Sequence, residues 1–250
     1  MPVLFISDLH LCAVRPGKLD LFTSLLRGPA RKAEALYILG DLFEAWAGDD
    51  DRTPPHPEVT AELAGFTRAG GRLYLLRGNR DYLLGGEFAR ATGGQLLADE
   101  TTILLQGRKV LLMHGDTLCT RDVKYQLYRR LVNNRYAIRL FLRVPFSIRK
   151  NIWHGVRNFT RRTTARKPPY LIDVHQAAVE KTMRRHEVQD LIHGHTHRQG
   201  VHEFSLDGLP ARRYVLGDWY ESDCVLVADE NGLRMWRVQD YLNNFGAARG

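Results

Sequence analysis

Cysteine is scarce. The chain has three in 250 residues, and Cys12, Cys119 and Cys224 lack the paired spacing of a zinc knuckle or a disulfide framework. A disulfide-stapled scaffold is excluded, and the expectation is small core side chains in a reducing cytoplasm. Long apolar runs are missing too. A membrane-spanning helix needs about 20 mostly apolar residues, and runs such as Ala35–Leu39 or Val110–Met113 end far sooner. The opening Met1-Pro2-Val3-Leu4-Phe5-Ile6-Ser7-Asp8 has no basic n-region and carries a carboxylate where a signal peptide would continue apolar. Neither a bilayer span nor secretion is expected. Internal repeats and low-complexity tracts are also lacking.

One further absence divides the chain. Between Val123 and Ile172 there is no Asp or Glu, but there are thirteen Lys and Arg. The whole sequence has 36 basic and 28 acidic residues, a formal charge of +8, so everything outside that stretch is net acidic. A basic insertion in an acidic body points to an anionic partner for the insertion. The 44% of hydrophobic residues is enough for a real core.

Short β-rich runs alternate with helix-like stretches, which predicts an α/β fold. The expected strands are Val3–Ile6, Ala35–Leu39, Arg72–Leu76, Thr102–Leu105, Val110–Met113, Asp190–Ile192, Tyr214–Leu216 and Val225–Ala228. Hairpins are expected at Gln106–Lys109 and around Glu230-Asn231-Gly232, and consecutive late strands favour mixed sheets over a parallel one. Pro57 opens a helix with Val59, Leu63 and Phe66 on one face, stopped by Gly70-Gly71. Asp173 and Gln176 suggest a capping box for a helix running to His186. In the basic stretch, apolar residues recur at helical spacing from Tyr125 to Leu142, and again from Ile148 to Phe159 after Pro145. This predicts two or more amphipathic helices that rejoin the body at Pro168-Pro169. The organisation expected is a core of residues 1–122 and 168–250 with an inserted helical cap, 123–167.

Several strands end in potential metal ligands. Asp8-Leu9-His10, Gly40-Asp41, Gly78-Asn79-Arg80-Asp81, His114-Gly115-Asp116 and His193-Gly194-His195-Thr196-His197 each follow an expected strand. Ligands of α/β sheets gather beyond the carboxyl ends of strands, so these groups can converge. Singly, each motif reads as an ordinary turn or cap. The histidine cluster is stronger, because period-two spacing in extended chain would point His193, His195 and His197 the same way. Oxygen and imidazole donors suit Mn²⁺ or a similar first-row ion.

In that order, these motifs resemble the signature of the calcineurin-like dinuclear metallophosphoesterases. Gly40-Asp41-Leu42-Phe43-Glu44-Ala45-Trp46 with Gly48-Asp49-Asp50, together with the helical insertion, is similar to the branch that cleaves UDP-2,3-diacylglucosamine in lipid A biosynthesis. The match runs from Met1 to about Trp236. The resemblance implies two packed mixed β-sheets flanked by helices, with a helical cap. It implies two Mn²⁺ per subunit, one held by Asp8, His10, Asp41 and His197, the other by Asp41, Asn79, His114 and His195. Asp41 would bridge them, and Asp41, Asn79, Arg80 and His114 would carry the chemistry. Substrate would be contacted by Asn79, Arg80, Asp122, Tyr125, Thr160, Thr164, Lys167 and His195. Thr160 and Thr164 stand where the resemblance leads one to expect serine and asparagine. The implied reaction is hydrolysis of the pyrophosphate to UMP and 2,3-diacylglucosamine 1-phosphate, with water attacking the UMP-side phosphorus. The implied protein is a hydrolase and a monomer, peripheral on the cytoplasmic face of the inner membrane, held there by an anionic surface and binding no nucleic acid.

Two other readings fit parts of the sequence. A dinuclear phosphodiesterase acting on nucleotides or nucleic acid would keep the ligand set and use the basic stretch differently. A non-enzymatic module binding RNA or anionic lipid would use only the basic stretch and leave the ligand motifs without a purpose. Protein phosphatases are disfavoured, since Phe43-Glu44-Ala45 stands where they carry Asp-Arg-Gly. His154, His175, His186 and His202 fall outside the motifs and read as surface or core residues. Asp81 and Asp116 read as groups that orient neighbours, and no motif makes Cys12 or Cys119 a nucleophile.

Overall fold

Strands β1 (Val3–Ile6) and β2 (Ala35–Leu39) are apolar on both faces because both faces are covered. Leu4, Ile6, Leu36 and Ile38 turn outward to meet Phe22 and Leu25 of α1 (Pro16–Arg27) and Val59 and Leu63 of α2 (His56–Arg68). Phe5, Tyr37 and Leu39 turn inward onto Val110, Leu112 and Ile192 of a second sheet. The structure is a computed structural model that describes residues 1–164, 167–168 and 171–247; the side chains of residues 154, 158, 159, 161, 162, 164, 246 and 247 lie outside that description.

The first sheet has the order β11 (Gly232–Arg237), β10 (Cys224–Asp229), β1, β2, β3 (Arg72–Leu76), β4 (Gln95–Leu96). It is parallel from β1 to β4 and antiparallel beyond. The second has the order β5 (Glu100–Leu105), β6 (Arg108–Met113), β7 (Asp190–His193), β9 (Leu209–Val215), β8 (Gly200–Leu206), with β6, β7 and β9 parallel. Val179 and Met183 of α7 (Gln176–Arg185) cover its outer face against Leu111 and Leu191. Helices α3 (Gly86–Thr92) and α8 (Val238–Ala247) complete the flanks. This is the sandwich of two mixed sheets flanked by helices that the resemblance implies. The loops after β1, β2, β3, β6 and β7 meet at one end of it. Asp41 O accepts from His10 N at 3.0 Å, and His114 O accepts from Gly194 N at 2.9 Å.

The basic stretch forms α4 (Val123–Val132), α5 (Arg135–Leu142) and α6 (Phe146–Thr164). Pro145 divides it as expected. A second break falls at Asn133-Asn134, where the Asn134 side chain accepts from the N–H of Tyr136 and Ala137 at 2.9 and 3.2 Å. Arg149 of α6, 2% exposed, ties these helices to the loop after β2 through the Ala47 carbonyl and Asp50. Of the expected re-entry point, Pro169 lies outside the described residues.

Three sequence expectations need correction. The Asp173 capping box does not form: His175 precedes α7 with no side-chain bond, and Asp173 instead accepts from Val174 N at 2.8 Å and pairs with Arg198. Gln176 reaches forward along the helix to Glu180 at 3.1 Å. The expected strand Tyr214–Leu216 is the tail of the longer β9. Asp207 and Gly208 (φ 54° and 81°) make a tight turn that pairs Leu206 with Leu209 and creates the β8–β9 hairpin. Third, His193 does not share a side with His195 and His197. His195 and His197 are left-handed (φ 70° and 60°), and Thr196 N donates back to Gly194 O at 2.9 Å, so the alternation of an extended chain stops at the end of β7.

Candidate metal centre

Two loops supply the first group of donors. Asp8 and His10 follow β1, and His197 follows β7. His10 Nε2 lies 3.2 Å from His197 Nε2, and Asp8 Oδ1 lies 3.3 Å from His197 Nε2 and 3.8 Å from His10 Nε2. A second group forms beside it from Asp8, Asp41 and His114. The amide of Asn79, after β3, places Oδ1 at 3.0 Å from His114 Nε2 and 2.9 Å from His195 Nδ1. Asp41 stands between the groups, with Oδ2 3.8 Å from His10 Nδ1 and Oδ1 3.8 Å from His114 Nε2. All seven expected donors therefore converge. Asp8 is the carboxylate common to both groups of three, while Asp41 turns one oxygen towards each side.

Local backbone makes this possible. Asp8, His10, Asp41, His195 and His197 are all left-handed, with φ between 50° and 70°, a conformation that costs a non-glycine residue about 1 kcal/mol or more. Gly40 (φ +94°) lets the loops close up, since a Cβ there would stand 2.7 Å from His114 Nδ1 and 2.8 Å from Gly78 Cα. Asp81 ties two loops together, accepting from Gly78 N and Leu42 N at 2.8 Å and from Asp41 N and Phe43 N at 3.3 Å.

The charges show a surplus of carboxylate. Burial lowers the basicity of His197, but its bonds to Asp218 and Asp8 overcome this and lift it to about 10. His114 is also raised, as Asp41 and Asp8 outweigh its burial. His195, buried and next to His114, is held down at about 4. Burial is the largest cause raising Asp41, and the charges of Asp8 and Asp81 add to it. Asp8 is pulled well below the carboxylate range, because the hydrogen bond and charge of His197, with His114 and His10, overcome its burial. Carboxylates that draw in positive charge this strongly suit a cation. His10 Nδ1 is buried without a hydrogen-bond partner among the described residues, as a donor atom aimed at an ion would be.

The profile of the calcineurin-like phosphoesterases matches residues 1–199. The chain belongs to the calcineurin-like phosphoesterase family. Membership implies divalent-metal binding, and the donor set just described fits it. Among curated relatives, a protein of Aeromonas hydrophila is 48% identical over 91% of this chain and 94% of its own length, and one of Escherichia coli is 49% identical over 88% and 92%. Both are named UDP-2,3-diacylglucosamine hydrolase. Among solved structures, the phosphoesterase Yfce from E. coli aligns over 96% of this chain and 94% of its own with a TM-score of 0.48 and 17% identity.

Around this phosphoesterase centre stand the expected substrate contacts. Arg80 donates from its backbone to Asp41 Oδ1 at 2.8 Å, and its guanidinium pairs with Glu44. Tyr125 lies against His195 with ring centroids 6.2 Å apart and donates its hydroxyl to Asp116 at 2.8 Å. Asp122 caps α4, accepting from Tyr125 N at 3.2 Å, and pairs with Lys167. Thr160 is bonded to its own helix, donating to Arg157 O at 3.0 Å; the Thr164 side chain lies outside the described residues. Cys119 is no nucleophile, since burial pushes its thiol up to about 12.

Sequence reasoning gave no role to four residues here. Glu44 collects Arg80, Arg157 and the Tyr220 hydroxyl, the last at 2.7 Å. Tyr220 stacks on His10 at 5.2 Å, and Asp218 holds His197 Nδ1 at 3.0 Å. Asp218 was findable, because Gly217-Asp218 after β9 repeats the Gly40-Asp41 pattern after β2. Glu44 and Arg157, on the β2 loop and on α6, carry no such pattern.

Proposed function

We propose that the chain hydrolyses the pyrophosphate of UDP-2,3-diacylglucosamine to UMP and 2,3-diacylglucosamine 1-phosphate, the activity for which its curated relatives are named. The observation that carries the lipid part of this reading is a cavity of about 480 Å³ between the helical insertion and the core loop that also carries Asn79 and Arg80. It is walled by Leu131, Ile138, Phe141, Ile152 and Trp153 of α4–α6 and by Tyr82 and Leu83 of the core. Tyr82 is two residues from Arg80, which sits on Asp41. A nearly all-apolar pocket walled in part by the loop that carries Asn79 and Arg80 into the donor cluster matches a substrate with acyl chains on one side and a pyrophosphate on the other. On this reading residues 123–167 are a lid over the lipid half and residues 1–122 and 168–250 the catalytic core.

Two Mn²⁺ would be held by Asp8, His10, Asp41 and His197 and by Asp41, Asn79, His114 and His195, with Asp41 bridging. When bound, such a pair lowers the pKa of water and neutralises charge developing on phosphoryl oxygens. The chain does the rest. Asp218 and Asp8 orient His197, Asn79 aligns His114 with His195, and Asp81 fixes the loops that carry Asp41 and Asn79. Arg80 offers planar donors to pyrophosphate oxygens, and Glu44 and Tyr220 hold that guanidinium in place beforehand. Tyr125, Asp122, Lys167 and Thr160 would frame the sugar side; Thr164 joins them by the resemblance alone, its side chain lying outside the described residues. Because a phosphate leaves readily, no separate proton donor is required. The test is hydrolysis in heavy-oxygen water. Label is expected in UMP, with loss of turnover on chelation and recovery with Mn²⁺; label in the sugar phosphate would place attack on the other phosphorus.

Among the described residues no helix is long and apolar enough to cross a membrane. Helices α4–α6 nevertheless expose Val123, Leu127, Tyr136 and Ile148, none of them lining that cavity, among Lys124, Arg130, Arg139 and Arg143. An apolar patch of that extent interleaved with cations fits peripheral binding of a monomer to the anionic cytoplasmic face of the inner membrane. Each cation near such a surface contributes about 1 kcal/mol. The protein is expected to float with anionic liposomes at low salt and to be released by high salt; equal flotation with neutral liposomes would remove the electrostatic part.

A further inference from the structure

His193, at the end of β7, is fully buried and faces away from the other two histidines of its cluster. Its Nδ1 lies 2.8 Å from the Gly194 carbonyl, which can only accept. Its Nε2 lies 3.1 Å from Arg213 Nη1, which can only donate. One arrangement satisfies both: a neutral ring with the proton on Nδ1 and the lone pair of Nε2 turned to Arg213. Arg213, opposite Leu191 in the β7–β9 pairing, is itself buried. Among the described residues it has no ion pair within 4.0 Å, and its Nε has no hydrogen-bond partner. A guanidinium buried without a carboxylate is costly, and the only hydrogen bond it makes among those residues is to this imidazole.

The imidazole is wedged between two ligand loops. Gly115, which follows His114, is left-handed (φ +113°); a Cβ there would lie 2.7 Å from His193 Nδ1 and 3.2 Å from Gly194 O. Gly194 precedes His195 and donates its N–H to His114 O at 2.9 Å. The ring thus fills the gap between the residue after one ligand and the residue before another. Both ligands reach Asn79 Oδ1 at 3.0 and 2.9 Å, a geometry that tolerates displacements of only about 0.5 Å.

We propose that Arg213 is a positioning residue for the half of the metal centre built on His114, Asn79 and His195. It fixes the tautomer and plane of His193, which in turn sets the spacing of the two loops. The other half, on Asp8, His10 and His197, is also held by Asp218 and meets the first where His195 N donates to Asp8 Oδ2 at 2.8 Å, so it depends less on Arg213. This inference rests on the two-metal reading above.

The test is Mn²⁺ binding to the purified full chain, followed by titration calorimetry and by the paramagnetic resonance of free Mn²⁺, with melting of the chelator-treated protein recorded alongside. Arg213→Met is expected to weaken one of the two sites by roughly 10- to 100-fold, the usual range for a lost partner of a ligand, and to weaken the other by less than about threefold, since it is touched only through the His195 N–H bond to Asp8. Arg213→Lys keeps the charge and one donor but not the planar fork, and is expected to lose less at the same site. Two sites of parental affinity in Arg213→Met would overturn the proposal. So would equal weakening of both sites in step with a lower melting temperature, the mark of a purely structural role. If Arg213→Met cannot be purified folded, Arg213→Lys decides alone, and two unchanged sites there overturn the proposal equally. A parent protein that binds no Mn²⁺ would instead sink the two-metal reading itself.

Discussion

Asp41→Asn is expected to lower kcat/KM by at least about 10³-fold, some 4 kcal/mol, while raising the melting temperature of the chelator-treated protein. Asp41 is 2% exposed and turns one oxygen towards each half of the centre. Asparagine keeps the shape and retains an oxygen for Arg80 N, which donates to Asp41 Oδ1 at 2.8 Å. What it loses is the charge. Asp8, Asp41 and Asp81 are all buried at this end of the sandwich, so removing one negative charge relieves repulsion when no cation is present. Relief of about 1 kcal/mol corresponds to ~2–4 °C in a chain of this size. With Mn²⁺ the order reverses, because the parent gains stability from binding that the variant has lost. Scanning calorimetry with chelator and with Mn²⁺, beside kcat/KM on UDP-2,3-diacylglucosamine, measures both. Activity within tenfold of the parent, or an undiminished Mn²⁺-induced rise in melting temperature, would remove Asp41 from the bridging position.

The strands that carry the ligands were legible because they are buried on both faces and end abruptly in glycine and polar residues. Val3–Ile6, Ala35–Leu39 and Arg72–Leu76 occur with the expected limits, and the His56–Arg68 helix buries Val59, Leu63 and Phe66 as its spacing predicts. Elements with exposed faces were harder. β8 has the mostly exposed surface of an edge strand, so it lacks an apolar run, although Asp207-Gly208 was an unused hairpin signal. α1 and α8 went unread for want of a strong cap; α1 has no side-chain cap bond. Within the site, donors placed directly after strands were readable one by one. Side chains that act through tertiary contact, such as Glu44 on Arg80 and Arg157 or Arg213 on His193, have partners 36 to 113 residues away or across a strand pair. No local pattern encodes such distances. The histidine cluster misled for a local reason: left-handed turns at His195 and His197 break the alternation that spacing alone implies.

Those left-handed turns also say where strain is stored. The described residues with positive φ that are not glycine include five of the seven expected ligands. Each such conformation costs of order 1 kcal/mol or more and persists only where the surroundings over-determine it. Here the surroundings are the sandwich edge, the backbone bonds between loops and a few buried carboxylates that act on N–H groups. Ligand geometry is therefore held by residues that need not touch an ion, and these should be as sensitive to substitution as the ligands.

Asp81 is the sharpest case. Its Oδ1 accepts from Gly78 N at 2.8 Å and Asp41 N at 3.3 Å; its Oδ2 accepts from Leu42 N at 2.8 Å and Phe43 N at 3.3 Å. Asp81→Asn is nearly isosteric but offers one oxygen and one amino group. Whichever way the amide turns, its amino group faces two backbone donors, and both are left unsatisfied in a fully buried position. Unpaired buried groups cost about 1–3 kcal/mol each, so a loss of roughly 3 kcal/mol is expected, or ~6–12 °C in melting temperature. Burial is the largest cause raising the Asp81 carboxyl, so the neutral amide recovers part of that cost and favours the lower end of the range. Activity should fall by more than stability explains, because three of these bonds join the loop carrying Asp41 to the loop carrying Asn79, and the fourth, from Gly78 N, shapes the Asn79 loop itself. Assay well below the melting temperature separates the two effects. A variant that melts within ~2 °C of the parent, where roughly 1 kcal/mol corresponds to ~2–4 °C, would show that the loops hold their shape without Asp81. The strain at Asp41 would then have to be supported by the backbone bonds from β1 alone.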